Sequence, residues 1–351
     1  MEVRVLFVVV VFFGVLKSDG NDYCLHSSVY AKKYSEEGLF NIYNRDGLRR
    51  IINSVGVYFE EVTCADFAGE KVFVKLIDKL IRNSNLFDVE REVNTLKLLK
   101  GQKVSPDFLE CIFMLGDVAI LHEKVHNLLS SKEMIDKFSS FSLSKKLTKF
   151  LQIAITIQTL HKNGITYQSV SPFKIVALDA EMTKLRLYDF RDVLKPGETG
   201  KGLPNYYSSP DKLKSYTFVA SYNQDAYAFA LTMITLLDED KVLENGIKDF
   251  CHLDGNLFSD ECKKVFQESL KKLVEKHQPT ALYSYIEKHI FSEDQPLNIN
   301  DLTKELFDTF NKVSPTDSKK EPEVDDEVKA LKGEFEANLN TSNNPNKRDI
   351  I

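Results

Sequence analysis

The stretch Leu143–Lys162 constrains the fold most. Its apolar residues recur at helical spacing over a long run, and Asn163-Gly164 closes it with a helix stop. On either side the pattern differs. Before it, residues 55–76 read as two strands around a turn at Ala68-Gly69-Glu70-Lys71. Residues 87–100 then read as an amphipathic helix, with Val89, Val93 and Leu96 near helical spacing. Phe108–Met114 and residues 118–122 read as a hairpin about Gly116-Asp117. After the long helix come two short strands, 175–178 and 185–189, and then a mainly helical stretch to about Lys312. The reading is α+β, with a small β-rich part carrying one helix followed by a larger helical part.

The chain has 351 residues, 43% of them apolar, enough for a sizeable core. Its formal net charge of -6 argues against a general nucleic-acid binder. The N-terminus has a basic start at Arg4, an apolar run from Val5 to Leu16, and small residues at Ser18 and Gly20. That layout matches a secretory signal peptide over residues 1–20. The run is shorter than the roughly 20 apolar residues a membrane span needs, so no span is expected after cleavage. An uncleaved anchor and a buried strand are the alternatives. Residues 21–38 form a lead-in. Five cysteines follow the signal, and Cys251 and Cys262 flank a loop-like stretch, which makes them the first candidates for a disulfide. Free buried thiols are the equal alternative.

The site residues come from a chain of short motifs. Val72-Phe73-Val74-Lys75 follows a Gly-Glu-Lys turn. Glu92 lies on the next helix, with Leu96 one turn further on. Glu90 is the rival partner for Lys75, but it would put polar Asn94 at the inner position. His122-Glu123-Lys124 comes next, then Leu160-His161-Lys162-Asn163-Gly164-Ile165. Tyr167-Gln168-Ser169-Val170-Ser171-Pro172-Phe173-Lys174 and Leu187-Tyr188-Asp189-Phe190-Arg191 follow. Tyr207-Ser208-Ser209-Pro210-Asp211, Gln224-Asp225-Ala226-Tyr227 and Gln278-Pro279-Thr280-Ala281 complete the series. In order and spacing this series resembles the protein-kinase superfamily over residues 39–312. The resemblance implies a bilobal fold, with a small β-rich lobe and a larger helical lobe.

The resemblance also implies a degenerate site. Phosphoryl transfer needs positioning, metal ions and charge stabilisation. Ser169 stands where the catalytic base belongs, and a serine is no base near pH 7 without one of its own. Lys174 stands where an asparagine would hold magnesium, and an ammonium accepts nothing. Asp189 is retained, but Arg191 replaces the glycine that follows the motif's phenylalanine. Arginine in glycine-only backbone angles would cost about 1–2 kcal/mol, and Arg191 could pair with Asp189 or Glu92. The phosphate loop region, residues 53–58, holds one glycine. Phe73 takes the place of the small residue that roofs the adenine pocket. Lys75, Glu92 and Asp189 are thus remnants of a nucleotide site that Phe73 is expected to block. Asp211 and Gln278 replace a pair that tethers the activation segment. Asp225, Phe190 and Leu96 carry scaffolding roles, with Asp225 capping the catalytic-loop amides.

The expected function is that of a secreted pseudokinase that binds a protein partner, with no cofactor, no metal and no phosphoryl transfer. A divergent active kinase or nucleotide-binding transferase of the secretory pathway is the alternative, and a nucleotide-sensing pseudokinase is a third reading. Residues 313–351 are rich in Lys, Glu, Asp, Asn, Ser and Pro, and are expected to be disordered, with at most a transient helix near 328–335. This tail carries one glycosylation sequon, Asn340-Thr341-Ser342.

Overall fold

A computed structural model describes residues 62–67, 70–78, 86–114, 117–123, 125–201, 207–209, 211–212, 217–237, 264, 268, 281–290, 292, 295–313 and 322–342. The chain mixes helices and strands and divides into two compact units, Met1–Val125 and His126–Ile351. The expected signal peptide (residues 1–20), the expected lead-in (21–38), the glycine-poor segment 53–58, Cys251, Cys262 and Gln278 lie outside the described residues.

The first unit contains β1 (Val62–Phe67), β2 (Glu70–Asp78), α1 (Leu86–Leu98), β3 (Phe108–Met114) and β4 (Asp117–Glu123). The strands form one antiparallel sheet in the order β1-β2-β4-β3. Val89, Val93 and Leu96 of α1 are buried, as is Ile120 of β4. Their spacing along α1 makes the single apolar stripe that a one-sided helix needs.

The second unit is built around α3 (Leu143–Lys162). Ser142 caps its start by accepting a hydrogen bond from the Lys145 N–H at 3.3 Å, and Gly164 at φ 71 follows its end. Around it run β5 (Asn127–Leu128), α2 (Lys132–Ser139), a 3-10 turn at Pro172–Lys174, β6 (Ile175–Ala177) and β7 (Leu185–Leu187). Then come β8 (Thr199–Lys201), β9 (Thr217–Val219), α4 (Tyr222–Leu237), α5 (Ala281–His289), α6 (Ile299–Val313) and α7 (Pro322–Ser342). The small sheets run β5-β6-β7 and β8-β9. Among the described residues no helix is long and apolar enough to cross a membrane.

Helix α3 is buried on nearly every face, including Lys146, Lys149, Gln152 and Gln158. The reason is α7, which packs on α3 together with α6. This corrects the expectation that 313–351 is disordered throughout. Val324, Val328 and Leu331 are buried. Phe335 stacks on Phe307 of α6 with ring centroids 5.4 Å apart. Glu327 accepts both a 3.0 Å hydrogen bond from Lys149 Nζ and one from Gln152 Nε2, and Asn338 donates to Thr159 Oγ1 at 3.2 Å. A polar segment becomes ordered when one stripe of it finds a face to cover. Asn340 of the sequon is exposed near the end of α7.

The β8-β9 hairpin contains a close approach. Gly200 lies opposite Phe218, and an added Cβ would sit 2.5 Å from Phe218 Cζ and 2.7 Å from Leu194 Cδ1. Gly200→Ala is expected to cost about 1–3 kcal/mol through overpacking, read as a lowered denaturation midpoint.

Candidate functional site

In the first unit, Lys75 lies in β2 opposite Ile120 of β4, and Glu92 lies on α1. Lys75 Nζ donates to both Glu92 carboxylate oxygens at 2.6 Å, and neither side chain is exposed. Glu92, rather than half-buried Glu90, therefore meets the lysine. Leu96 is fully buried one turn on. Phe73 lies in β2 opposite His122, but its ring lies outside the described residues.

His122 is buried, with Nδ1 3.3 Å from the Pro106 carbonyl and its ring edge-on to Phe108. Burial lowers its pKa to about 4; the Pro106 hydrogen bond opposes this and the Lys75 charge adds to it. The folded state therefore resists protonation between the ordinary value of 6.5 and about 4. In that window the unfolded chain binds the extra proton, so stability falls as pH falls. The contribution is complete above 6.5, and the loss reaches roughly 3 kcal/mol near the lower limit. Denaturation midpoints measured from pH 7 to 4 are expected to fall less steeply in His122→Phe than in the natural chain.

In the second unit, the loop after α3 is organised by Asp225 of α4, which is fully buried. Its carboxylate accepts from the Tyr167 and Gln168 N–H groups at 2.7 Å each, and His161 Nε2 lies 2.9 Å away. Gln168 has φ 70 in the left-handed region. Its carbonyl accepts from Lys212 Nζ at 2.6 Å. Gln168 is thus gripped at both its N–H and its C=O, which holds a backbone angle that costs about 1–2 kcal/mol in a residue with a Cβ. Tyr167 donates its hydroxyl to the Tyr188 carbonyl and stacks edge-on against fully buried Phe190.

Asp189 is almost fully buried. Arg191 donates Nε to Asp189 Oδ1 at 2.8 Å and Nη2 to Oδ2 at 3.0 Å, a bidentate pair. Lys174 also forms an ion pair with Oδ2. The expected backbone strain at Arg191 is absent: the residue at positive φ is Asp189, at 68°. Arg191 is free of the left-handed angle because the positive φ falls two residues earlier, at Asp189. Ser169 Oγ is buried and has no hydrogen-bond partner. Asp211 is exposed.

Sequence reasoning missed Lys212, which is buried, donates to Gln168 and lies 4.3 Å above the Phe218 ring. Burial pushes its pKa down to about 8 against the pull of Asp225 and Asp192. No periodicity marks it, since the acceptor of its hydrogen bond lies far back in the chain. Among the described residues, no three His, Cys, Asp or Glu side chains gather as they would around a metal ion. No family model matches the chain.

Proposed function

We propose that this chain is a secreted pseudokinase, a bilobal protein-kinase-like protein that binds a protein partner and does not transfer phosphate. The observation that carries the reading is the Asp189 carboxylate, engaged by Arg191 and Lys174 at once. A magnesium ion needs oxygen ligands in near-octahedral array. Two cations on the one retained carboxylate compete directly with it. Ser169 offers no base. The sequence motifs and the division into a strand-rich unit and a mainly helical unit support the fold assignment. The N-terminal pattern of residues 1–20 supports secretion.

One observation favours the alternative, a divergent kinase or a nucleotide-binding transferase. The Lys75–Glu92 pair is formed and fully buried, as a phosphate-positioning lysine requires. Thermal denaturation with ATP and magnesium or manganese separates the readings. The pseudokinase reading expects no shift. Saturable stabilisation, about 2.7 kcal/mol at 100 times the dissociation constant, would favour the alternative, and a labelled product would establish transfer.

A further inference from the structure

Three buried polar atoms without hydrogen-bond partners lie on two neighbouring segments: Gln168 Oε1, Ser169 Oγ and Ser209 Oγ. Lys212 ties these segments together, since its ammonium donates to the carbonyl of the Gln168–Ser169 peptide at 2.6 Å, and Ser209 precedes it by three residues. The Gln168 amide cannot simply be turned over. Its Nε2 donates to Thr166 Oγ1, whose own hydroxyl donates to the Leu194 carbonyl. Lys212 has three N–H donors, and its hydrogen bond to Gln168 uses one. Its other contact is the face of Phe218. Orphaned buried polar atoms are costly and rare, and usually mark an ordered guest.

We propose that Gln168, Ser169, Ser209 and Lys212 form a buried hydration site, in which ordered water bridges the loop after α3 to the segment ending at Lys212. The chemistry selects water. The guest must accept from an ammonium and donate to an amide carbonyl, and each hydroxyl can do either. An oxyanion fits less well, because Asp225 and Asp192 already act on the Lys212 charge. The water would complete the hold on Gln168, whose left-handed backbone is gripped, among the described residues, by Asp225 and Lys212. This inference is independent of the functional reading above.

Ser169→Ala and Ser209→Ala in the full chain provide the test. If water satisfies these hydroxyls, each replacement removes a hydrogen bond, and the melting temperature falls by about 2–4 °C. If they are true orphans, alanine relieves a desolvation cost and the melting temperature rises, which would overturn the proposal. A crystal structure resolving ordered solvent is expected to show water within hydrogen-bond distance of Lys212 Nζ and at least one of the three orphaned atoms. A dry site there would also overturn it. So would a saturable shift with inorganic phosphate that is lost in Lys212→Met, since that would put an oxyanion in the water's place.

Discussion

Glu327→Ala is expected to cost the folded chain about 3 kcal/mol, because it strips a buried lysine of its counter-ion. Lys149 has a side-chain exposure of 2%, and Glu327 one of 27%. The carboxylate also accepts from Gln152 Nε2, while Gln152 Oε1 takes the Leu185 N–H at 3.0 Å. One glutamate on α7 therefore supports both a buried charge on α3 and the side chain that holds the start of β7. Replacing both ions with apolar residues of similar size is often neutral. The double variant Lys149→Met/Glu327→Leu is accordingly expected to recover most of the loss. The chain has no tryptophan, so urea titration followed by far-ultraviolet circular dichroism is the suitable measurement. An unchanged midpoint in Glu327→Ala would mean that the Lys149–Glu327 pair contributes nothing to the fold in solution.

Asp225→Ala is expected to be at least as damaging, at about 4 kcal/mol. The carboxylate is fully buried and serves two backbone N–H groups and one imidazole. Each orphaned buried donor costs about 1–3 kcal/mol, and local relaxation recovers part of the sum. Asp225→Asn keeps one acceptor oxygen and should fall between. Should the alanine variant fail to fold, hydrogen exchange on Asp225→Asn gives the answer. The Tyr167 and Gln168 amides are expected to exchange faster than in the natural chain, with distant helices little changed. Unaltered protection at both amides would show that other groups hold this loop.

Much of the local structure was legible in the sequence. The bounds of α3 follow from helical spacing and the Asn163-Gly164 stop, both local signals. The hairpin read at Phe108–Met114 and 118–122, and the helix read at 87–100, were also legible from local pattern, and the structure has them at Phe108–Met114, Asp117–Glu123 and Leu86–Leu98. The preference for Glu92 over Glu90 needed only the rule that a buried partner shares its helix face with Leu96. Arg191 was a candidate partner for Asp189 from its position alone, but Glu92 stood as an equal alternative. The packed structure shows the Arg191–Asp189 pair formed through both carboxylate oxygens.

What stayed hidden depends on contacts between distant residues. In α7 the apolar residues form one narrow stripe, Val324, Val328, Leu331 and Phe335, and the composition of the whole tail averages it away. The ion pair that anchors the stripe joins residues 178 apart. Lys212 is hidden likewise, since its acceptor lies 44 residues back. Periodicity, caps and turns act over a few residues, so the chain alone determined its α+β elements and marked Ser169, Lys174 and Arg191 as positions of interest. Which side chains share a carboxylate, and whether a polar tail finds a face to cover, depends on where distant segments end up, and only the tertiary structure decided that.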